Sequence, residues 1–286
     1  MRFRAKIEHV LNYSRIVQTV EKIAKQCVMR WSPEELQIIC EGGDNEGGVQ
    51  IWSKFRVASL FTDYRIQSNS ENMIHMQIST EPFVQALRSA QSSPDVVIKL
   101  AKRDELAVLR FDFQAVSHQG KNIQVIHDVR VHVMRQEEIA RLEEPQCPEP
   151  DVHIILPPLT KLRTVTEHMR PLSSLMGVSA TRSGRFSLRI QTDEVSVETD
   201  WTGCETPRAP YSEQAEREDV DPDEWYRAIV SVKSFLQFLS SYVVSTTTVA
   251  SICHNHCVIM YVYIGDHRDP HGGGGVLTFY IPARIP

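Results

Sequence analysis

Arg2-Phe3-Arg4-Ala5-Lys6-Ile7, followed by Val10-Leu11-Asn12-Tyr13-Ser14-Arg15-Ile16-Val17-Gln18-Thr19-Val20-Glu21, decides the fold class. The first six residues alternate charged and apolar, the period-two pattern of a half-buried strand. The period then changes. Val10, Tyr13, Val17, Val20 and Ala24 recur at helical spacing and predict an amphipathic helix over 9–26. Short strands are expected at about 27–31, 35–40, 48–52, 60–66 and 73–79, then a second helix at 81–91, then strands at 95–101, 105–113 and 123–133. Strands this closely spaced form antiparallel meanders, and amphipathic helices cover one face of such sheets, an α+β layout.

The plan then restarts. Met134 to Asp151 holds three prolines and six acids against two bases, the composition of an exposed connector. Beyond it come a strand at 151–156, a helix at 158–172 with Leu162, Val165, Met169 and Leu172 inward, and strands at 175–181, 185–191 and 194–201. A polar loop at 202–224 leads to a strand at 225–232 and a helix at 233–241, with Phe235, Leu236 and Leu239 inward. Strands at 246–253, 257–264 and 275–281 close the chain, the last two separated by a Gly-rich insertion at 265–275. No residue-level repeat is visible, so the repetition is one of architecture. The expected organisation is a first domain at 1–133, a connector at 134–151 and a second domain at 152–286.

Composition narrows the function classes. The chain has 286 residues, 42% hydrophobic and 23% charged, so about two packed domains are expected and wholesale disorder is excluded. No apolar run is long enough to span a bilayer, and the N-terminus lacks the apolar stretch of a signal peptide. Six cysteines in such a chain, without a signal, read as reduced thiols of an intracellular protein.

The search for catalytic chemistry finds little. There is no G-x-x-x-x-G-K-[ST] phosphate loop, no G-x-G-x-x-G between strand and helix, no G-x-S-x-G and no H-E-x-x-H. His9, His75, His127, His132 and His153 are scattered, and the acids gather in two loops rather than in a converging pair. Cys253-His254-Asn255-His256-Cys257 resembles a zinc cluster, but apolar strands flank it, so a hairpin turn is the simpler expectation. Its zinc reading, with a zinc-dependent enzyme attached, is kept as an alternative. No catalytic residue, metal or cofactor is assigned.

The helix polar faces are more informative. Opposite the apolar stripes, the first helix carries Arg15, Lys22 and Lys25, the second Arg88, the third Arg163 and Arg170 with Glu167 between them, and the fourth Lys233. Arg15 and Lys22, like Arg163 and Arg170, are two turns apart, about 10 Å along the axis, which is on the scale of phosphate spacing. The formal net charge of −5 hides this pattern. The connector carries −4 and residues 203–224 carry −6, which leaves +5 on the rest. The chain is a mildly cationic body with two acidic segments.

Four strings match a known family. Met-Arg-Phe-Arg-Ala-Lys-Ile at 1–7, Pro-Asp-Val-His-Ile-Ile-Leu-Pro at 150–157, Phe-Leu-Gln-Phe-Leu at 235–239 and Phe-Tyr-Ile-Pro-Ala at 279–283 resemble the Hus subunits of the heterotrimeric checkpoint clamp, the nine-one-one ring. These belong to the superfamily of clamps like proliferating-cell nuclear antigen. The resemblance runs along the whole chain in element order. It implies two similar domains per subunit, each with two helices on antiparallel sheets, and a trimeric ring with helices lining the hole.

The resemblance further implies a nuclear, non-enzymatic scaffold. Two paralogous subunits of the Rad type would complete the ring, and a clamp loader would place it on damaged double-stranded DNA. There the ring would promote checkpoint-kinase activation and tether repair enzymes. By helix and face, Arg15, Lys22, Lys25, Arg88, Arg163, Arg170 and Lys233 are the expected DNA-facing residues. A few dispersed cations suit sequence-independent attraction to phosphates. Partner motifs are expected at an apolar pocket by the connector, using Ile139 and Leu142 with Val131 and Val133. Ring closure is expected at sheet edges, with 105–113 and 175–181 as the edge strands. A homotrimeric replication processivity clamp is the alternative within the same class.

Overall fold

The computed structural model describes residues 1–42, 48–116, 120–207, 221–265 and 274–284. Residues 266–273 of the Gly-rich insertion and residues 208–220 of the acidic loop therefore lie outside the described residues. In chain order the first half comprises β1 (Arg2–Ile7), α1 (Val10–Glu21), β2 (Gln26–Trp31), β3 (Glu35–Cys40), β4 (Gln50–Arg56), α2 (Val57–Leu60), β5 (Phe61–Gln67), β6 (Ile74–Ser79), α3 (Thr80–Ala90), β7 (Val96–Arg103), β8 (Leu106–Val116) and β9 (Asn122–Val133). A single turn, α4 (Gln136–Ile139), stands in the connector. The second half comprises β10 (Val152–Ile155), α5 (Leu159–Met169), β11 (Leu175–Ala180), β12 (Phe186–Gln191), β13 (Ser196–Trp201), β14 (Tyr226–Ser231), α6 (Val232–Leu239), β15 (Thr247–Cys253), β16 (Cys257–Ile264) and β17 (Gly275–Pro282).

The chain forms two compact units. One contains Met1–Glu41, Ile51–Glu144 and Ile264–Leu277; the other contains Gly42–Gln50, Pro145–Tyr263 and Thr278–Pro286. The first change of unit after Ile51 falls inside the connector, between Glu144 and Pro145. The segments 42–50 and 264–277 belong to units other than the ones contiguity would give them.

In the first unit the strand order is β4-β3-β2-β6-β9-β8-β7-β1-β5, and the registered pairs are antiparallel. Alternation places Phe3, Ala5 and Ile7 in the core and leaves Arg2 and Arg4 outside. On one side of the sheet α1 and α3 lie against each other. Tyr13 and Phe83 meet edge to face with ring centroids 5.9 Å apart, and Gln91 Nε2 donates to Ser14 Oγ at 3.0 Å. Burying each of these large side chains contributes about 1.5–3 kcal/mol.

The first helix is shorter than its periodicity predicts. It ends at Glu21; the amides of Ile23 and Ala24 close a last turn on the Val20 oxygen, and the carbonyls of Ala24 and Lys25 that follow accept from Thr80 at the start of α3. Its hydroxyl donates to the Ala24 oxygen at 2.8 Å and its amide to the Lys25 oxygen at 3.0 Å. The chain is thereby turned into β2. The short helix α2 has no counterpart among the expected elements.

In the second unit one sheet runs β10-β15-β16-β17 and another β13-β12-β11-β14. The helices α5 and α6 are neighbours. The Ser231 side chain caps α6, accepting from Ser234 N at 3.5 Å. Phe238 takes the fully buried place that Leu236 was expected to share; it packs on Phe235 and Phe279 at centroid distances of 5.6 and 5.3 Å. Leu172 is exposed rather than inward, because α5 stops at Met169.

Candidate nucleic-acid and subunit interfaces

Each unit presents a helix pair with cations on its outer surface. On α1 and α3, Arg15 and Arg88 are exposed, and Lys22 is the C-cap residue of α1. Lys25 is exposed but lies in the turn before β2, so its expected place on the first helix is corrected; its carbonyl accepts from the Thr80 amide at 3.0 Å rather than from the helix. On the second pair, Lys233 stands in the first turn of α6 and Arg170 caps the C-terminus of α5. Arg163 is the most engaged of the set. It donates from Nε to Glu167 Oε1 at 2.8 Å, and its guanidinium sits 5.4 Å from the Tyr242 ring centroid. The Glu167 pairing was legible in the i, i+4 spacing; Tyr242, far along the chain, was not.

The connector contributes to a cavity of about 210 Å³ in the first unit. Ile139, Val133, Met134, Met73 and Ile74 supply its apolar lining, and Arg30 and His75 its polar one. Arg30 Nη2 lies 3.2 Å from Met73 Sδ, and burial together with the Arg30 charge holds His75 below the usual histidine range. Two bonds fix the connector's single helical turn. Arg135 N donates to Glu138 Oε2 at 2.7 Å, and His132 Nε2 is 3.0 Å from Glu138 Oε1. These bonds hold the Glu138 carboxyl below its usual pKa.

Of the four connector-region residues expected to act together, Ile139 and Val133 line this cavity. Leu142 is half-buried outside it, and Val131 is a core residue opposite Ile78, only 6% exposed. Val131 shares a strand face with Val133 but sits one step deeper in the sheet. Sequence reasoning does not reach Arg30 and Met73, since β2 and the turn before β6 come together only through sheet pairing.

The expected edge strands are corrected. β8 is bonded to β7 on one side and β9 on the other, and β11 lies between β12 and β14. Both are interior. The bare edges come from unequal strand lengths and from strand order. Among the described residues, 122–130 of β9 pair only with β8, because β6 is short and pairs only with Val131–Val133. This stretch exposes Ile123 (47%) and Ile126 (52%), an unusual surface for an unpaired edge. In the second unit β13 is bonded, among the described residues, to β12 alone.

Cys253 to Cys257 forms a hairpin turn, as the simpler expectation had it: Cys253 and Cys257 are the last cross-strand pair of β15 and β16, and Asn255 adopts φ +56°. Both cysteines are buried, whereas His254 and His256 are exposed. His254 Nδ1 accepts from Arg227 N at 3.0 Å, and its own amide donates to Asp151 Oδ2 at 2.7 Å. Among the described residues, no group of three His, Cys, Asp or Glu side chains is arranged to hold a metal ion, and no helix is long and apolar enough to cross a membrane.

Comparison with known proteins agrees with this architecture. The family model described as Hus1-like protein matches residues 1–285. The chain is 32% identical to Checkpoint protein hus1 of Schizosaccharomyces pombe, with all of both chains covered. It is 28% identical to Checkpoint protein HUS1 of Homo sapiens over 99% of each chain. Among solved structures it is similar to the proliferating cellular nuclear antigen of Entamoeba histolytica, with a TM-score of 0.72, 13% identity and 99% of each chain covered. At that identity the likeness establishes the clamp fold alone.

Proposed function

The chain belongs to the Hus1-like family, and from that premise we propose how it works as a checkpoint-clamp subunit that joins other clamp subunits around DNA. The full-length match to checkpoint proteins of this family carries the reading. It favours this function over a homotrimeric replication clamp and over a zinc enzyme.

The division into domains at 1–133 and 152–286 joined by a connector at 134–151 is part of the proposal. So is the role of the helix faces: Arg15, Lys22, Lys25, Arg88, Arg163, Arg170 and Lys233 attract the duplex without reading its sequence. Their dispersal supports this, because a topologically closed ring needs weak phosphate attraction rather than tight binding. Ring closure uses the bare edges of β9 and β13, where a neighbour's strand would supply the missing backbone partners. Two paralogous subunits of the Rad type occupy those edges, a clamp loader opens the ring at damaged DNA, and the loaded ring promotes checkpoint-kinase activation. Repair enzymes and kinase activators dock at the cavity beside Ile139 and Val133. The subunit works in the nucleus as a scaffold without catalysis.

Reconstitution tests the reading. The chain alone is expected to be no homotrimer at micromolar concentration, and to form a one-to-one-to-one complex with two paralogous clamp subunits by mass measurement. A stable homotrimer that slides on DNA would support the replication clamp instead.

A further inference from the structure

Three thiols meet at the tip of the β15–β16 hairpin, and they come from two separate segments. Cys253 and Cys257 are the last cross-strand pair of that hairpin, and both are buried. Cys147, from the end of the connector, packs against them beside Ile259, Tyr261 and Tyr280. It is the partly exposed member of the trio. All three belong to the second unit.

Bonds to the hairpin hold the end of the connector in place. Asp151 N donates to the Ile252 oxygen at 2.9 Å, His254 N donates to Asp151 Oδ2 at 2.7 Å, and Cys253 Sγ donates to the Pro148 oxygen at 3.4 Å. The last of these fixes the residue next to Cys147. Cys257 shares hydrogen bonds with both Cys253 and Cys147. The bond to Cys253, then burial, then the bond to Cys147 raise the Cys257 thiol well above its usual pKa. Cys257 therefore keeps its proton, and of the three residues Cys147 is the one that solvent reaches. Cys27 and Cys40 also share a hydrogen bond, but both are buried, so neither meets a dissolved oxidant first.

We propose that Cys147 and Cys257 are a peroxide-oxidisable pair that closes to a disulfide and ties the end of the connector to the hairpin. Hydrogen peroxide is the oxidant. It transfers one oxygen to the Cys147 sulfur, which becomes a sulfenic acid as the O–O bond breaks and one water leaves. The Cys257 sulfur then attacks the Cys147 sulfur. The S–O bond breaks, and the departing hydroxide takes the Cys257 proton to leave as a second water. Two thiols lose two electrons and two protons, and one peroxide is reduced to two waters. Sulfurs in hydrogen-bond contact must approach by about 1.5–2 Å to form the bond, a distance that side-chain rotation at the partly exposed Cys147 supplies. The pair is independent of the clamp reading, since it needs neither DNA nor another subunit.

The test is treatment of the full-length chain with hydrogen peroxide, then blocking of the remaining thiols and peptide mass spectrometry without reductant. A Cys147–Cys257 crosslinked peptide is expected, two hydrogens lighter than its halves and removed by dithiothreitol. Cys147→Ser should abolish it and leave Cys253 and Cys257 as thiols. Cys257→Ser should leave Cys147 as a sulfenic acid that dimedone traps; if that variant does not fold, the map of the parent chain and of Cys147→Ser decides. The bridged chain should melt at least about 3 °C above the reduced one, because the crosslink closes a long loop. A Cys253–Cys257 bridge in its place, a Cys147 that passes to sulfinic acid while Cys257 stays a thiol, or a Cys147 that peroxide leaves unchanged would overturn it.

Discussion

Arg163 and Glu167 stand one turn apart on α5 and are joined by a charge-assisted hydrogen bond, Nε to Oε1 at 2.8 Å. Both side chains are about half exposed. The pair therefore does little for stability and much for charge, since it cancels one of the cations on that helix face. Glu167→Gln is expected to strengthen DNA association of the assembled ring and to move the melting temperature by less than about 2 °C. Arg15→Gln with Lys22→Gln should lower the slope of log affinity against log salt by about 0.9 for each phosphate that is no longer neutralised. Arg163→Gln alone should lower it less. Equal salt slopes for the parent and both variants would remove the helix faces from the DNA interface.

Asp128 is gripped by Arg110, with Nε to Oδ1 at 2.7 Å and Nη2 to Oδ2 at 2.9 Å, and by Arg103 at 3.2 Å. The Arg110 bond is the main cause that holds its carboxyl below the usual value of 3.8, and burial opposes it. Because the folded pKa is depressed, the stabilisation is complete above the unfolded value and disappears as pH falls through the lower folded one. Thermal unfolding followed from pH 7 down to pH 2 should show this loss below about pH 4. Asp128→Asn should lower the melting temperature at pH 7 and narrow its gap to the parent protein at the acid end. A gap that stays constant with pH would mean the carboxylate charge is immaterial.

Ile123 and Ile126 lie on the bare stretch of β9, and neither supports the core. Ile126→Arg is accordingly expected to leave the melting temperature of the isolated chain within about 2 °C. It should abolish pairing with one clamp subunit and spare the other. Size-exclusion chromatography with each subunit in turn reads this directly. Failure to bind either partner, or undiminished binding of both, would separate β9 from ring closure.

The six cysteines differ in access. Cys27, Cys40, Cys253 and Cys257 are buried, whereas Cys147 and Cys204 are partly exposed. Burial raises the Cys204 thiol above its usual pKa, which slows formation of the reactive thiolate. Iodoacetamide at neutral pH should label Cys147 first, Cys204 more slowly and the remaining four only on unfolding, as read by peptide mass spectrometry. Early labelling of Cys253 or Cys257 would show that the hairpin tip opens in solution.

Phe238 packs between Phe235 and Phe279 and is fully buried. Phe238→Ala is expected to cost about 3–5 kcal/mol in denaturant unfolding, because apolar burial is removed and a cavity stays behind. A cost under about 1 kcal/mol would mean that this part of the core collapses around the gap.

The sequence by itself determined what depends on local periodicity. Phe3, Ala5 and Ile7 against Arg2, Arg4 and Lys6 set the first strand, and Val10, Tyr13, Val17 and Val20 set the inward face of the first helix. The recurrence of strand and helix after Asp151 set the two-part plan, and family-specific strings set the function. The cationic helix positions other than Lys25 were legible too, because solvent-facing residues follow from the apolar stripe opposite them.

Tertiary structure alone decided what depends on the meeting of distant segments. Lys25 stands outside the helix, and its carbonyl accepts from the amide of Thr80, at the start of a later helix. The bare edge of β9 follows from its being longer than β6, and strand length against a partner is not a property of either strand read alone. Tyr242 reaches Arg163, Arg30 joins Met73 and Ile139, and Arg227 lies on Gly177, in each case through sheet register or helix packing. Periodicity fixes which face a residue takes; only pairing across the fold fixes which residue it meets there.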